Sequence, residues 1–225
     1  MPIYKNRKSG NMKIVFLGAP GSGKGTHANF VSEKYGIPKI STGDMLREEV
    51  KKGTVLGKEV EGIMESGGLV PDDKVMAILK ERLKQPDCKK GFILDGFPRT
   101  VNQAKMLDGV ADIEFALFFD VDREELIKRL SGRWTCKDCG EIYHEDYKKP
   151  KEEGKCDRCG GELYQREDQK IESVKKRLDL YEKETLPLLK IYEDRGVLRK
   201  VHMDDAPIEE NAKKVISVVE ERFAE

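Results

Sequence analysis

Two runs of residues in this 225-residue chain have the types and spacing to do chemistry. The first is Gly18-Ala19-Pro20-Gly21-Ser22-Gly23-Lys24-Gly25-Thr26, which holds the pattern G-x-x-x-x-G-K. Glycines at Gly21, Gly23 and Gly25 let a backbone fold tightly, with its N–H groups turned inward and no side chain in the way. Such a nest at a helix N-terminus attracts phosphate oxygens, and Lys24 adds a full positive charge. The spacing therefore predicts a nucleotide phosphate site. One departure stands out: Gly25 follows the lysine where the general pattern has Ser or Thr, and Thr26 comes one residue late. The second run is C-x2-C-x16-C-x2-C, formed by Cys136, Cys139, Cys156 and Cys159, with Gly140 and Gly160 after the two pairs. Four thiolates at this spacing suit tetrahedral Zn²⁺, and four protein ligands make a structural rather than a catalytic site. His144 lies close by, but the ligand set is complete without it, and the lone Cys88 needs no chemical role.

The elements that must position these residues follow from the pattern. The apolar run Met12–Leu17 leads into the glycine-rich turn, and a helix from about Lys24 stops at Gly36-Ile37-Pro38. Ser41 or Thr42 caps a helix with Asp44 in its first turn, and Gly67-Gly68 ends a second helical stretch. Pro71-Asp72-Asp73 opens another helix. Phe92–Leu94 ending in Asp95 and Ile113–Phe119 ending in Asp120 are nearly continuous apolar runs, as parallel strands covered on both faces require. Residues 133–165 carry the cysteines and no helical period. A helix resumes near Asp168 and is interrupted at Pro187, a last strand spans Leu198–Met203, and a closing amphipathic helix begins near Ile208. Alternating strand and helix means α/β with a parallel sheet. Residues 1–11 are polar, basic and aperiodic, and are expected to be a disordered extension.

Composition narrows the function. Lys+Arg and Asp+Glu number 42 each, so the formal net charge is zero although 37% of residues are charged. A generic binder of nucleic acid or anionic membrane needs a basic excess. A zinc ribbon that tracks phosphate is disfavoured too, because residues 133–170 hold nine basic and ten acidic side chains. No apolar run reaches a membrane span and no signal-like segment follows the start, so a cytoplasmic protein is expected.

Motifs further along the chain point to one family. GAPGSGKGT resembles the phosphate loop of adenylate kinases, in which Gly-Thr follows the lysine. Ile40–Arg47 (ISTGDMLR), Asp95–Thr100 (DGFPRT) with Gln103, Arg129–Arg133 (RLSGR), Gln165–Asp168 (QRED) and Lys175–Leu178 (KKRL) resemble that family's segments, in order, across residues 12–223. The resemblance implies a three-layer P-loop core from 12–40, 71–131 and 170–225. It also implies a helical monophosphate-binding insert at 41–70 and a zinc-containing lid at 132–169. The implied reaction is MgATP + AMP ⇌ 2 ADP, with Mg²⁺ as cofactor, and no nucleic-acid or membrane partner. A monomer is expected, since no apolar patch demands a partner.

Residue roles follow by similarity. Gly21–Thr26, Arg129, Arg133, Ile142 and Tyr143 should bind ATP, with the backbone before Pro207 near its adenine. Thr42, Arg47, Gly68, Leu69, Val70, Gly96, Phe97, Pro98, Arg99, Gln103, Arg166 and Arg177 should hold AMP. Lys24, Arg99, Arg133, Arg166 and Arg177 should stabilise the transferring phosphoryl group, and Asp95 should orient water on Mg²⁺. The Thr42 segment favours adenylate over UMP or CMP kinases, which tend to carry Ala there. Gln169 stands where the family commonly has a second Asp, which bears on the ion pairing of Arg133 and Arg166.

Overall fold

The computed structural model describes residues 12–203 and 206–223; the extension 1–11 lies outside the described residues. Chain order runs β1 (Met12–Gly18), α1 (Lys24–Tyr35), β2 (Lys39–Ser41), α2 (Thr42–Lys52), α3 (Val55–Glu65), α4 (Asp72–Leu83), β3 (Gly91–Asp95), α5 (Val101–Asp108), β4 (Phe115–Asp120) and α6 (Arg123–Ser131). After these come β5 (Arg133–Cys136), β6 (Ile142–His144), β7 (Leu163–Tyr164), α7 (Ile171–Leu180), α8 (Leu188–Asp194), β8 (Leu198–His202) and α9 (Ile208–Phe223).

Among the described residues β2-β3-β1-β4-β8 form one sheet, and every pairing in it is parallel. The apolar run of β1 splits by alternation. Val15 and Leu17 point into a core with Leu46 of α2, Val60 of α3, Leu79 of α4, Leu107 of α5 and Tyr192 of α8. Ile14 and Phe16 point the other way, against Ala28 and Val31 of α1 and Val215 and Val219 of α9. Two helical layers on one sheet make three layers, and they explain why the strands read as apolar throughout.

Two segments add to these layers. Helices α2 and α3, which reach the core through Leu46 and Val60, pack closely on each other at Gly57, where a Cβ would lie 2.2 Å from the Glu49 carbonyl oxygen. Strands β6-β5-β7 form a small antiparallel sheet whose buried cluster is Cys136, Tyr143, Cys156 and Leu163. Four residues cannot supply a self-sufficient core, so this sheet needs a further tie.

Two local details differ from the sequence expectation, and one resolves an open choice. The short β2 is an edge strand too brief to show a period. Of the two capping residues the sequence allows, Ser41 caps α2, its Oγ accepting from the Asp44 N–H at 3.2 Å. The helix resuming after the cysteine segment starts at Ile171, and a wide π turn at Tyr181–Thr185 precedes Pro187.

Candidate active site

The turn between β1 and α1 lies at the C-terminal edge of the sheet, where β3 also ends in Asp95. Gly23 precedes α1 with φ at 87°; no side chain caps the helix and no acidic residue sits in its first turn. Its N–H groups and dipole are thus left for an external anion. The Lys24 ammonium lies across the loop, donating to the carbonyls of Gly18 (2.8 Å) and Ala19 (2.7 Å). A Cβ on Gly25 would lie 2.9 Å from Asp95 Oδ2. Any side chain in place of Gly25 would therefore have to displace the Asp95 carboxylate.

Six cations gather around this edge. Burial pushes Lys24 down to about 8; Asp95 resists, and Arg99, Arg177 and Arg133 add to the fall. Burial, with Arg166 adding to it, pushes Arg133 down to about 10. Arg177 falls to about 10 by burial, against the pull of Asp168. Arg99 is lowered by burial and by Arg47. Asp168 holds two of the six: Arg166 donates from Nε (2.8 Å) and Nη2 (3.0 Å), and Arg177 Nη1 donates to Oδ2 at 3.0 Å. Burial would raise the Asp168 carboxyl, but Arg177 and Arg166 outweigh it and hold it below the usual carboxylate range. The Arg133 guanidinium makes no hydrogen bond or ion pair among the described residues, while its backbone pairs with His144 of β6. Gln169 is buried and its Oε1 accepts from the Arg166 N–H at 3.0 Å, so it fixes the backbone of Arg166 rather than either guanidinium.

A cavity opens beside this cluster. Thr42, Arg47, Gly68–Val70, Gly96, Arg99, Gln103 and Arg177 line it, joined by Leu46, Met64, Val75 and Asp168. Nine of the twelve residues expected to hold the acceptor thus share one wall; Phe97, Pro98 and Arg166 do not line it, and the Phe97 side chain is buried in the core. Thr42 Oγ1 donates to the Gly96 carbonyl (3.1 Å), tying the α2 start to the turn after β3. Sequence reasoning missed the apolar wall of Leu46, Met64 and Val75, which reads only as ordinary helix core.

Arg129 donates from Nε to Glu125 at 2.6 Å, and its charge reaches His27 on the helix that follows the phosphate loop. Glu125 Oε1 also accepts from the Tyr147 hydroxyl (2.9 Å), linking α6 to the small sheet. Tyr143 is buried: its side chain is 2% exposed, and its hydroxyl accepts from the Asp157 N–H (2.7 Å) and faces Cys156 Sγ (3.5 Å). The ring therefore packs in the small sheet beside the cysteines, which leaves only the backbone at Ile142-Tyr143 and the exposed Ile142 side chain to meet a nucleotide. Ile142 beside it is 45% exposed.

Cys136, Cys139, Cys156 and Cys159 bring their sulfurs within 4.8 Å of one another. The contacts Cys136–Cys159 (3.5 Å) and Cys139–Cys156 (3.6 Å) approach the roughly 3.8 Å edge of a tetrahedron with Zn–S bonds of about 2.3 Å. The donor set fits a zinc ion. His144 stays outside it: Nδ1 accepts from the Asp146 N–H (3.0 Å), and Nε2 lies 3.3 Å from the Lys128 carbonyl oxygen.

A phosphate loop on a parallel sheet, beside an arginine-lined pocket under two inserted segments, defines a P-loop phosphotransferase of the nucleoside monophosphate kinase class. The adenylate kinase family profile matches residues 16–197. An adenylate kinase of Thermodesulfovibrio yellowstonii is 51% identical over 216 residues, covering 94% of this chain and all of the relative. One from Archaeoglobus fulgidus is 55% identical over 195 residues, covering 84% of this chain and 90% of the relative. The chain belongs to the adenylate kinase family, and its activity is that of a nucleoside monophosphate kinase.

Proposed function

We propose that the chain catalyses MgATP + AMP ⇌ 2 ADP. The observation that carries this reading is the excess positive charge of the cleft: Lys24, Arg47, Arg99, Arg133, Arg166 and Arg177 face only three carboxylates, Asp95, Asp168 and the Asp44 that pairs with Arg47. Buried like charges that depress one another are stabilised when a polyanion enters. Two nucleotides supply that anion, one on the phosphate loop and one in the pocket lined by Arg47 and Arg99.

In this reading Gly21–Thr26 and Lys24 hold the donor phosphates, and Arg129, Arg133 and the Ile142-Tyr143 segment complete the ATP side. Thr42, Gly68–Val70, Gly96 and Gln103 surround the acceptor nucleoside, while Arg47 and Arg99 take its phosphate. The acceptor phosphate is ionised near neutral pH and attacks without a general base. Arg133, Arg166 and Arg177 spread their charge over the transferring group, the planar guanidinium being suited to bidentate phosphate contact. Asp95 would hold Mg²⁺ through water, and the ion when bound neutralises charge on the donor phosphates. Residues 41–70 act as the monophosphate-binding segment over a core of 12–40, 71–131 and 170–225. Residues 132–169 act as a lid that excludes water, tied by one structural Zn²⁺ on its four cysteines.

We also assign a cytoplasmic monomer. Support for the compartment is the four-thiolate set, which requires reducing conditions. No described helix is long and apolar enough to cross a membrane. The test is a panel of acceptors with MgATP. ADP formation with AMP at least tenfold more efficient than with UMP, CMP or GMP is expected; a tenfold preference for UMP or CMP would overturn the reading of Thr42 and Gln103.

A further inference from the structure

The amide of Gln103 is held at both ends by groups that each tolerate only one orientation. Its Oε1 accepts from the Arg99 backbone N–H at 2.7 Å. Its Nε2 donates to Asp72 Oδ1 at 2.7 Å. A backbone N–H can only donate, and an ionised carboxylate can only accept. A flipped amide would set N–H against N–H and oxygen against oxygen, so this network has one solution. Asp72 is itself held in place: Asn102 Nδ2 donates to its Oδ2 at 2.8 Å, and the Thr100 hydroxyl donates to the same oxygen at 3.1 Å.

An amide oxygen has two lone pairs and an amide nitrogen two hydrogens. The protein uses one of each on Gln103, which leaves one acceptor and one donor in a fixed order. Gln103 lies on the wall of the acceptor pocket, with Thr42 and Val70 beside it. The remaining pair complements a base edge that offers an amino donor next to a ring-nitrogen acceptor. A 6-aminopurine has that edge. A 6-oxopurine has the reverse, a carbonyl acceptor beside a ring N–H.

We propose that Asp72 is a positioning residue that fixes the amide polarity of Gln103 and so makes the acceptor site reject 6-oxopurine monophosphates. The inference rests on the reading that Gln103 faces the acceptor base. Cytosine shares the amino-purine polarity, so this device separates AMP from IMP and GMP, and pocket size must separate AMP from CMP.

IMP is the appropriate probe, because it differs from AMP only on this edge. The experiment measures kcat/KM for AMP and IMP in wild type, Asp72→Asn, Asp72→Ser, Gln103→Ala and Asn102→Ala. Asp72→Asn keeps size but can donate as well as accept, leaving only the Arg99 N–H to orient the amide. The AMP/IMP ratio should fall about tenfold in both Asp72 variants, the factor that one charge-assisted hydrogen bond represents. Asn102→Ala removes a different contact of Asp72 and should leave the ratio within twofold. A lower ratio in Gln103→Ala with an unchanged ratio in both Asp72 variants would overturn the role of Asp72 while leaving Gln103 as the base reader. An unchanged ratio in Gln103→Ala would overturn the reading of Gln103, and the inference with it.

Discussion

His27 gives this protein a built-in acid sensitivity that can be isolated by one substitution. It lies on α1, is 4% exposed, and its Nδ1 has no hydrogen-bond partner. Its ring stacks on Phe119 with centroids 5.8 Å apart. Burial pushes its pKa down to about 4, and the charge of Arg129 pushes the same way. In the unfolded chain it titrates near 6.5, so between these values the unfolded state binds more protons than the folded one. Stability is then complete above about pH 6.5, falls as the pH drops through the window, and levels off below about 4. The linkage relation puts the loss between pH 7 and pH 5 at about 2 kcal/mol. For a chain of this size that corresponds to roughly 4–8 °C in Tm. Urea unfolding of wild type and His27→Gln at a series of pH values reads the effect. Other groups titrate alike in both proteins, so the difference between the two curves should shrink or change sign by about 2 kcal/mol from pH 7 to pH 5. Curves that stay parallel within about 0.5 kcal/mol would refute the argument that the imidazole is buried and neutral.

Asp168→Asn leaves Arg166 and Arg177 without their shared carboxylate; kcat should fall at least tenfold with a small change in Tm, and a kcat within twofold of wild type would remove Asp168 from the positioning of these arginines. Gly67 has φ at +71°, and a Cβ there would lie 2.6 Å from Arg177 Cγ and 2.9 Å from the Ser173 carbonyl oxygen. Gly67→Ala should therefore cost about 2 kcal/mol in urea unfolding, a loss below about 0.5 showing that the α3–α7 contact gives way easily. Metal analysis should find one zinc per chain, and chelation should open residues 132–169 to protease before the core; a zinc-free protein with an equally resistant lid would refute the structural role. Tyr147→Phe removes the hydroxyl that reaches Glu125 and should lower stability by about 1 kcal/mol, measured by thermal unfolding with and without the lid metal.

The phosphate loop was legible because its chemistry is local. Gly21, Gly23 and Lys24 act through backbone within a few residues, so spacing alone predicts the site. The same holds for the four cysteines, whose two knuckles each close a tight turn. The parallel strands were legible because β1, β3 and β4 are buried on both faces, which forces continuous apolar runs. Strand β2 was not, because three residues at a sheet edge carry no period. Arginine identities came from resemblance; composition says only that 13 arginines exist.

Residue order thus sets the available groups and the short-range geometry that glycine, proline and cysteine impose. Packing sets which of those groups share a carboxylate or lose their water. Asp168 takes Arg166 and Arg177 and leaves the Arg133 guanidinium without an ion pair among the described residues, Gln169 turns inward to the backbone, the Tyr143 ring is buried beside the cysteines, and Gln103 donates to Asp72, 31 residues away. Gly25 brings its backbone against the carboxylate of Asp95, 70 residues later in the chain. The physical reason is common to all of these. Desolvation and hydrogen-bond pairing depend on separation in space, and the packing of α2–α5 and α7 around the sheet edge creates separations that residue spacing does not encode.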